Sequence, residues 1–125
     1  MQCLSSAPGR SLVLPIACLE RLDDECRTAP QILVLQPTRE WVLACHIQIL
    51  NLGVYMDVSC VGSFGGTDIR HDAEALRAEN VPQVLVGKPG RIADLAGRGY
   101  LNCESVKLCV VDRVGEIIEV SHDLR

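Results

Sequence analysis

Short aliphatic segments alternate with amphipathic ones along most of this chain, and that alternation limits the folds that it can adopt. The aliphatic segments are brief and rich in Val, Ile and Leu, which is typical of buried strands. They lie at 31–37, 57–66, 82–90 (where the strand gives way to a turn) and 106–112, with a candidate first strand at 2–4. Apolar residues recur at helical spacing in 38–53, 68–80 and 91–99, and 11–26 is a further candidate helix.

Repeating strand–helix units of this size predict a parallel sheet, because parallel neighbours need a crossover between them. Hydrophobic residues make up 48% of the chain but aromatic residues only 3%, so the core must be aliphatic. Such a core suits a parallel sheet that is covered by helices on both faces. A length of 125 residues predicts one α/β domain.

Charge, cysteine usage and hydropathy limit the partners and the cellular compartment that we expect for this chain. The net charge of −4 does not draw the whole chain to nucleic acid, so any such contact must be local. The seven cysteines are odd in number and show no C-x-x-C spacing, which indicates reduced thiols in a cytosolic protein. His46, His71 and His122 show no metal-ligand spacing, and no apolar run reaches transmembrane length.

Four turns follow the predicted strands, and they carry the residues of chemical interest. In chain order they contain "QPTRE", "FGGT", "GKPGR" and "VVDRVGE". In parallel α/β sheets, ligands bind beyond the carboxyl ends of the strands, where these turns are expected to meet. Thr38 is positioned to cap the helix that follows the first of them, and Gly53 to end that helix.

These turns together resemble the first RecA-like lobe of DEAD-box RNA helicases, whose corresponding patterns are PTRE, GG, TPGR and DEAD. The segment "LGVYMDVSCVGSFGGTDIR" is most similar to the translation-initiation branch of that family. The resemblance covers roughly residues 31–118 well. It implies a three-layer RecA-like sheet of the P-loop NTPase type, incomplete here, with residues 1–125 forming a partial N-terminal helicase lobe.

The resemblance implies that this lobe grips the backbone of single-stranded RNA. Helix N-termini attract phosphate, and glycines allow a close approach of the backbone. Lys88 replaces the Thr of the family's TPGR. The alternative is that these are turn and capping residues that came with the fold. The implied RNA-binding residues are Pro37, Thr38, Arg39, Gly65, Gly66, Thr67, Lys88, Pro89, Gly90 and Arg91.

The ATP side departs further from the family pattern, in which the phosphate loop reads A-x-x-G-x-G-K-T. In "LSSAPGRS", Gly9 and Ser11 fit, but Ala7 replaces a glycine, Pro8 removes an N–H donor and Arg10 replaces the lysine. We therefore expect weak or absent nucleotide binding. The resemblance implies ATP at Gly9, Arg10, Ser11 and Asp112, with Mg²⁺ at Ser11 and Asp112; the alternative is an ordinary polar turn.

The acidic motif has lost its second carboxylate. Asp112 matches the magnesium-associated Asp, but Arg113 stands where the family has the Glu that polarises the attacking water, and Gly115 replaces the last Asp. No segment like the family's Ser-Ala-Thr motif follows, and that motif's strand lies between the first strand and the DEAD strand. We therefore expect a gap in mid-sheet, and with it instability or self-association.

Three functional interpretations remain open. In the first, the chain is a fragment or truncated relative of a cytoplasmic ATP-dependent RNA helicase. It is then inactive as an ATPase by itself and retains at most sequence-independent RNA binding. Alternatively it is a non-enzymatic pseudo-helicase lobe that binds RNA or a protein partner. The third interpretation is a structural relic without a ligand. None of them involves a membrane.

Overall fold

The computed structural model describes residues 2–6, 22, 29–54, 58–64, 66, 68–77 and 81–112, and gives the backbone alone at 2–6 and 112. The strands are β1 (Gln2–Ser6), β2 (Ile32–Leu35), β3 (Cys60–Ser63), β4 (Val84–Gly87) and β5 (Leu108–Asp112). The helices are α1 (Arg39–Leu52), α2 (Ile69–Arg77) and α3 (Pro89–Gly97). Each of these falls within or beside a predicted segment. The helix predicted over 11–26 lies outside the described residues, apart from residue 22.

The five strands form one parallel sheet in the order β1-β5-β2-β4-β3. Its central pairs are in even register, with Ile32 opposite both Val84 of β4 and Leu108 of β5. The ladder continues past the strand ends, because the Gln36 N–H donates to the Gly87 carbonyl at 3.0 Å. All five strands therefore finish at the same edge of the sheet.

The gap that we expected in mid-sheet is absent, and that prediction is wrong. β1 pairs directly with β5 over five residues, from Gln2 opposite Leu108 to Ser6 opposite Asp112. Main-chain N–H and C=O groups along an interior strand must be paired when they are buried. In this fold β1 supplies those partners to β5, so the sheet is continuous across the predicted break.

Alternate residues of the strands point into two separate apolar layers, as expected of a sheet covered on both faces. Ile32 and Val34 are fully buried against α1, whereas Leu33 between them packs on the opposite face with α2 and α3. The first layer contains Ile32, Val34, Val42, Cys45, Ile49, Cys60, Val84, Val86, Leu108 and Val110. The second contains Leu33, Leu76, Val81, Leu85, Ile92, Leu95, Leu101 and Val106. The predicted three-layer α/β class is thus confirmed.

Helix α1 begins and ends where the sequence predicts. Thr38 caps it, with its Oγ1 accepting from the Trp41 N–H at 3.3 Å. At the other end, Gly53 passes so close to the next segment that a Cβ there would lie 2.9 Å from the Cβ of Val58. In mid-helix, the Nε2–H of His46 donates to the Cys60 carbonyl at 2.9 Å and ties α1 to β3. Of the helices that the structure describes, none is both long and apolar enough to cross a membrane.

Candidate nucleic-acid interface

Three of the predicted turns meet at the carboxyl edge of the sheet, because β2, β4 and β3 are adjacent there. Gly87, the last residue of β4, is opposite Leu35 of β2 on one side and Ser63 of β3 on the other. Neighbouring strands lie about 4.8 Å apart, so the segments that follow these three residues start side by side. The sheet therefore brings together, at one edge, the points at which the turns "QPTRE", "FGGT" and "GKPGR" begin.

The first turn presents a helix N-terminus together with a cation. Pro37 is buried and Thr38 half-buried, whereas Arg39, the first residue of α1, is exposed. The first N–H groups of a helix have no intrahelical partner and carry partial positive charge. An anion at this position would meet those N–H groups together with the Arg39 guanidinium. Glu40, in the first turn of α1, is also exposed.

The third turn repeats this arrangement on the neighbouring strand. Lys88 occupies the N-cap position of α3 and Pro89 follows in the first turn, where its missing N–H removes no helical hydrogen bond. Lys88 and Pro89 are half-buried and Gly90 is exposed. A second helix N-terminus with its own cation thus opens onto the same edge.

Arg91 differs from the other two cations because its side chain is only 10% exposed. Its Nη2 donates to the Phe64 carbonyl at 3.1 Å, and its Nη1 lies 3.5 Å from Oδ2 of Asp72, a buried residue of α2. The same carboxylate oxygen accepts from the Ser63 hydroxyl at 2.5 Å. Ser63, Asp72 and Arg91, which we call the Asp72 cluster, therefore join β3, α2 and α3 beneath the interface.

The middle turn is described only in part. Gly66 is exposed with φ of 86°, in the left-handed region that favours glycine. Gly65 and Thr67, which we also predicted to contact RNA, lie outside the described residues. Their contribution stays a prediction.

The nucleotide side is described only as far as its strand ends. β1 ends at Ser6, directly opposite Asp112, the predicted magnesium-associated Asp at the end of β5. Gly9, Arg10, Ser11 and Arg113 lie outside the described residues. Oxygen donors of the kind at Ser11 and Asp112 suit Mg²⁺. Within the described ranges, no cluster of three or more His, Cys, Asp or Glu side chains could hold a metal ion.

Asp68 stabilises the start of α2 and carries the clearest perturbed pKa at this edge. Its Oδ1 accepts from the Arg70 backbone N–H at 2.9 Å, and its Oδ2 accepts from the Arg70 guanidinium at 2.8 Å. The side-chain hydrogen bonds with Arg70, helped by the backbone N–H, lower the Asp68 pKa from 3.8 to about 2. A lowered folded-state pKa means that this stabilisation is complete above pH 3.8 and is lost as the pH falls to about 2.

We expect carboxyl NMR to place the titration midpoint of Asp68 near pH 2. Arg70→Gln should move that midpoint towards the ordinary value of 3.8, because it removes the guanidinium donors. Arg77→Gln is the matched control, since it removes another cation of the same helix, one that contacts the Tyr100 ring and not Asp68. A wild-type midpoint near 3.8, or equal shifts in both variants, would contradict the prediction.

Sequence reasoning missed three residues of this interface: Ser63, Phe64 and Asp72. Asp72 had a readable signal, because with Ile69, Ala73 and Leu76 it follows the i, i+3, i+4, i+7 pattern of a buried helix face. Phe64 is the only phenylalanine in the chain and precedes the two glycines. Ser63 gave no signal beyond its place at a strand end.

Comparison with known proteins places the chain among helicases. The family model described as DEAD/DEAH box helicase matches residues 1–123. The ATP-dependent RNA helicase eIF4A of Eremothecium gossypii is 39% identical over 113 residues, and that of Aspergillus niger is 36% identical over 113 residues. These matches cover 90% of this chain but only 28% of each relative.

Solved structures share the fold. A DEAD box protein from the hyperthermophile Methanococcus jannaschii superposes with a TM-score of 0.82 at 24% identity, covering 98% of this chain and 35% of that one. A Saccharomyces cerevisiae Dbp5 variant, solved bound to RNA and ADP BeF3, gives 0.68 at 20% identity, with 97% and 32% covered. At these identities the likeness supports the fold alone. It agrees with the RecA-like architecture that the sequence predicts.

Proposed function

Because this chain belongs to the DEAD/DEAH box helicase family, we propose that it binds the backbone of single-stranded RNA at the carboxyl edge of its sheet. The chain spans 28% of the length of the curated eIF4A relatives. We therefore propose ATP-driven unwinding for the whole helicases of this family and not for this lobe alone. Residues 1–125 act in this proposal as a partial N-terminal RecA-like lobe, in the cytoplasm and near translation initiation.

The observation that carries the proposal is the pair of helix N-termini on adjacent strands, each with a cation. Arg39 begins α1 after β2, and Lys88 occupies the N-cap position of α3 after β4, with Leu35 and Gly87 in register beneath them. Successive phosphates of one strand could lie across both N-termini. Positive charge at these two points attracts the phosphates of RNA of any sequence. RNA can therefore bind at this edge although the net charge of the whole chain is negative.

Most of the proposed phosphate contacts are made by the more exposed residues of the predicted surface. Thr38, Arg39, Gly66, Lys88 and Gly90 are exposed or half-buried at this edge. The guanidinium of Arg91 already binds Asp72 and the Phe64 carbonyl, so we propose that Arg91 supports the surface from below. Two cations, Arg39 and Lys88, then remain to neutralise phosphates.

The salt dependence of poly-U binding tests this assignment. Each cationic contact with a single strand contributes about −0.7 to the slope of log affinity against log salt. We expect a slope of about −1.4 for the wild type from two contacts, reduced to about −0.7 by Arg39→Ala or Lys88→Ala. A slope near −2, the value that three contacts would give, would indicate that Arg91 also reaches the RNA.

Arg98→Ala is the matched control, because Arg98 is an exposed cation at the far end of α3, bound to Asp94. It should leave both affinity and slope unchanged. Arg39→Ala should weaken poly-U and a mixed-sequence strand by the same factor, since a phosphate contact carries no sequence information. If Arg39→Ala and Lys88→Ala behave like Arg98→Ala, the RNA surface is not at this edge.

A protein-interaction module is the second candidate function, and one observation favours it. Leu43, Ile47 and Leu50 form a stripe on α1 and are 39–48% exposed, with Val54 beyond them at 66%. Exposed apolar patches of this kind occur at protein interfaces. Failure to bind RNA even at low salt would favour this candidate over the first.

ATP and Mg²⁺ enter the proposal only through the family. Family proteins are solved with nucleotide, as the Dbp5 variant is with ADP BeF3. In this chain, Pro8 lacks an N–H that a phosphate cradle uses, and Arg10 replaces the lysine. We propose that nucleotide binds weakly or not at all and is not hydrolysed.

A further inference from the structure

Both arginines that we predicted to contact RNA converge on one residue, Phe64, in different ways. Arg91 donates to the Phe64 carbonyl at 3.1 Å, and the guanidinium carbon of Arg39 lies 5.6 Å from the centre of the Phe64 ring. One arginine therefore holds the backbone of Phe64, and the ring of Phe64 in turn contacts the other. The first arginine is nearly buried, and the second is exposed at the interface.

The Phe64 ring also packs against the sheet. It packs against the apolar layer between α1 and the sheet. Its Cζ and Cε2 atoms lie 3.0 Å and 3.2 Å from where a Cβ on Gly62 would be, so the ring fills the space that this glycine leaves. The ring is therefore a firm surface for a stacked side chain.

A guanidinium within about 6 Å of a ring centre is attracted to the ring, and this attraction restricts the side chain before any ligand arrives. The attraction between cation and ring acts through the guanidinium face, whereas its N–H donors point outward in the guanidinium plane. Stacking therefore restricts the side chain without occupying the donors that a phosphate would use. Ordering of Arg39 in the free protein lowers the conformational entropy that would be lost on binding.

From this geometry we infer that Phe64 is a positioning residue, whose ring orients the Arg39 guanidinium towards an RNA phosphate. The inference rests on the proposed RNA-binding function and deepens it. Arg91, anchored on Asp72, contributes by fixing the Phe64 carbonyl. The exposed cation of the interface is thus supported by a chain of contacts that reaches the buried Asp72 cluster.

A double-mutant cycle on the full 125-residue chain tests the inference by poly-U binding. Phe64→Leu keeps an apolar side chain but removes the ring, and we expect binding about two- to fivefold weaker, the factor that an exposed cation–π contact provides. Phe64→Trp retains a stacking surface and should bind within about twofold of the wild type. In the Arg39→Ala background, Phe64→Leu should cause no further loss. Equal losses in both backgrounds would overturn the inference.

An NMR measurement without RNA separates this inference from the proposed function. The Arg39 Nε–H resonance, assigned by its disappearance in Arg39→Ala, should show a ring-current shift that Phe64→Leu abolishes and Phe64→Trp retains. An unchanged Arg39 shift in a folded Phe64→Leu variant would overturn the positioning role. If the shift behaves as expected but Arg39→Ala binds poly-U like the wild type, the stacking is confirmed and the proposed RNA contact is overturned.

Discussion

RNA-stimulated ATP hydrolysis by the purified chain is expected to stay at background. By the family resemblance, Arg113 stands at the position of the glutamate that polarises the attacking water. A guanidinium is always protonated and has no acceptor, so it cannot take a proton from water. Loss of a positioned general base alone costs about 10²–10⁴-fold in rate. Phosphate release with poly-U, with an intact family member assayed beside it, measures the effect.

Asp112→Asn is the control that identifies any residual turnover. Activity above background that this variant abolishes would originate in the chain itself and would contradict the prediction. Activity that survives the variant comes from a contaminating ATPase. Titration with a fluorescent ATP analogue measures nucleotide binding separately from hydrolysis. We expect weak or absent binding, because the N–H lost at Pro8 removes a charge-assisted hydrogen bond of about 1.5–3 kcal/mol.

Asp72→Ala is expected to cost about 3 kcal/mol of unfolding free energy, near the lower end for breaking a buried ion pair. The Arg91 and Asp72 side chains are only 10% and 11% exposed, so the variant leaves a buried guanidinium without its carboxylate. It also leaves the buried Ser63 hydroxyl without the oxygen to which it donates at 2.5 Å. Urea denaturation followed by circular dichroism measures the loss.

Asp94→Ala is the matched control, because it removes a carboxylate on the surface of α3 that is paired only with the exposed Arg98 in the contacts described. Exposed pairs contribute little, so the urea midpoint should move far less than in Asp72→Ala. Asp72→Asn should fall between the two, since the amide oxygen can still accept from Ser63. Equal midpoints for Asp72→Ala and Asp94→Ala would show that the Asp72 cluster does not stabilise the fold.

The elements of the fold were predictable because they depend on local sequence. The β-branched segment around Ile32 and Val34, and the Thr38 cap of α1, carry periodicity and capping chemistry that neighbouring residues decide. The neighbour of β1 was not predictable in this way. The order of strands in a sheet depends on contacts between segments that are distant in the sequence. β1 pairs with β5, at the place where the family pattern suggested a gap.

The meeting of the turns at one edge was predictable, but the contacts among their residues were not. The turns meet where the strand ends of a parallel sheet require. The difference between Arg39 and Arg91 could not be predicted from their motifs, in which each follows a Pro by two residues. It arises because Asp72 lies under Arg91 and the Phe64 ring lies beside Arg39, and both contacts cross between separate elements of the fold.

The pairing of β1 with β5 has a consequence for the order in which the sheet assembles. Gln2 meets Leu108, so this contact closes a loop of almost the whole chain, whereas Cys60 of β3 meets Val84 of β4 after a short excursion. Closing a longer loop costs more chain entropy, and contacts between distant residues form slowly. We therefore expect β1 to be the last strand to join during folding. Until it does, β5 has an open edge on which the first strand of another copy can pair.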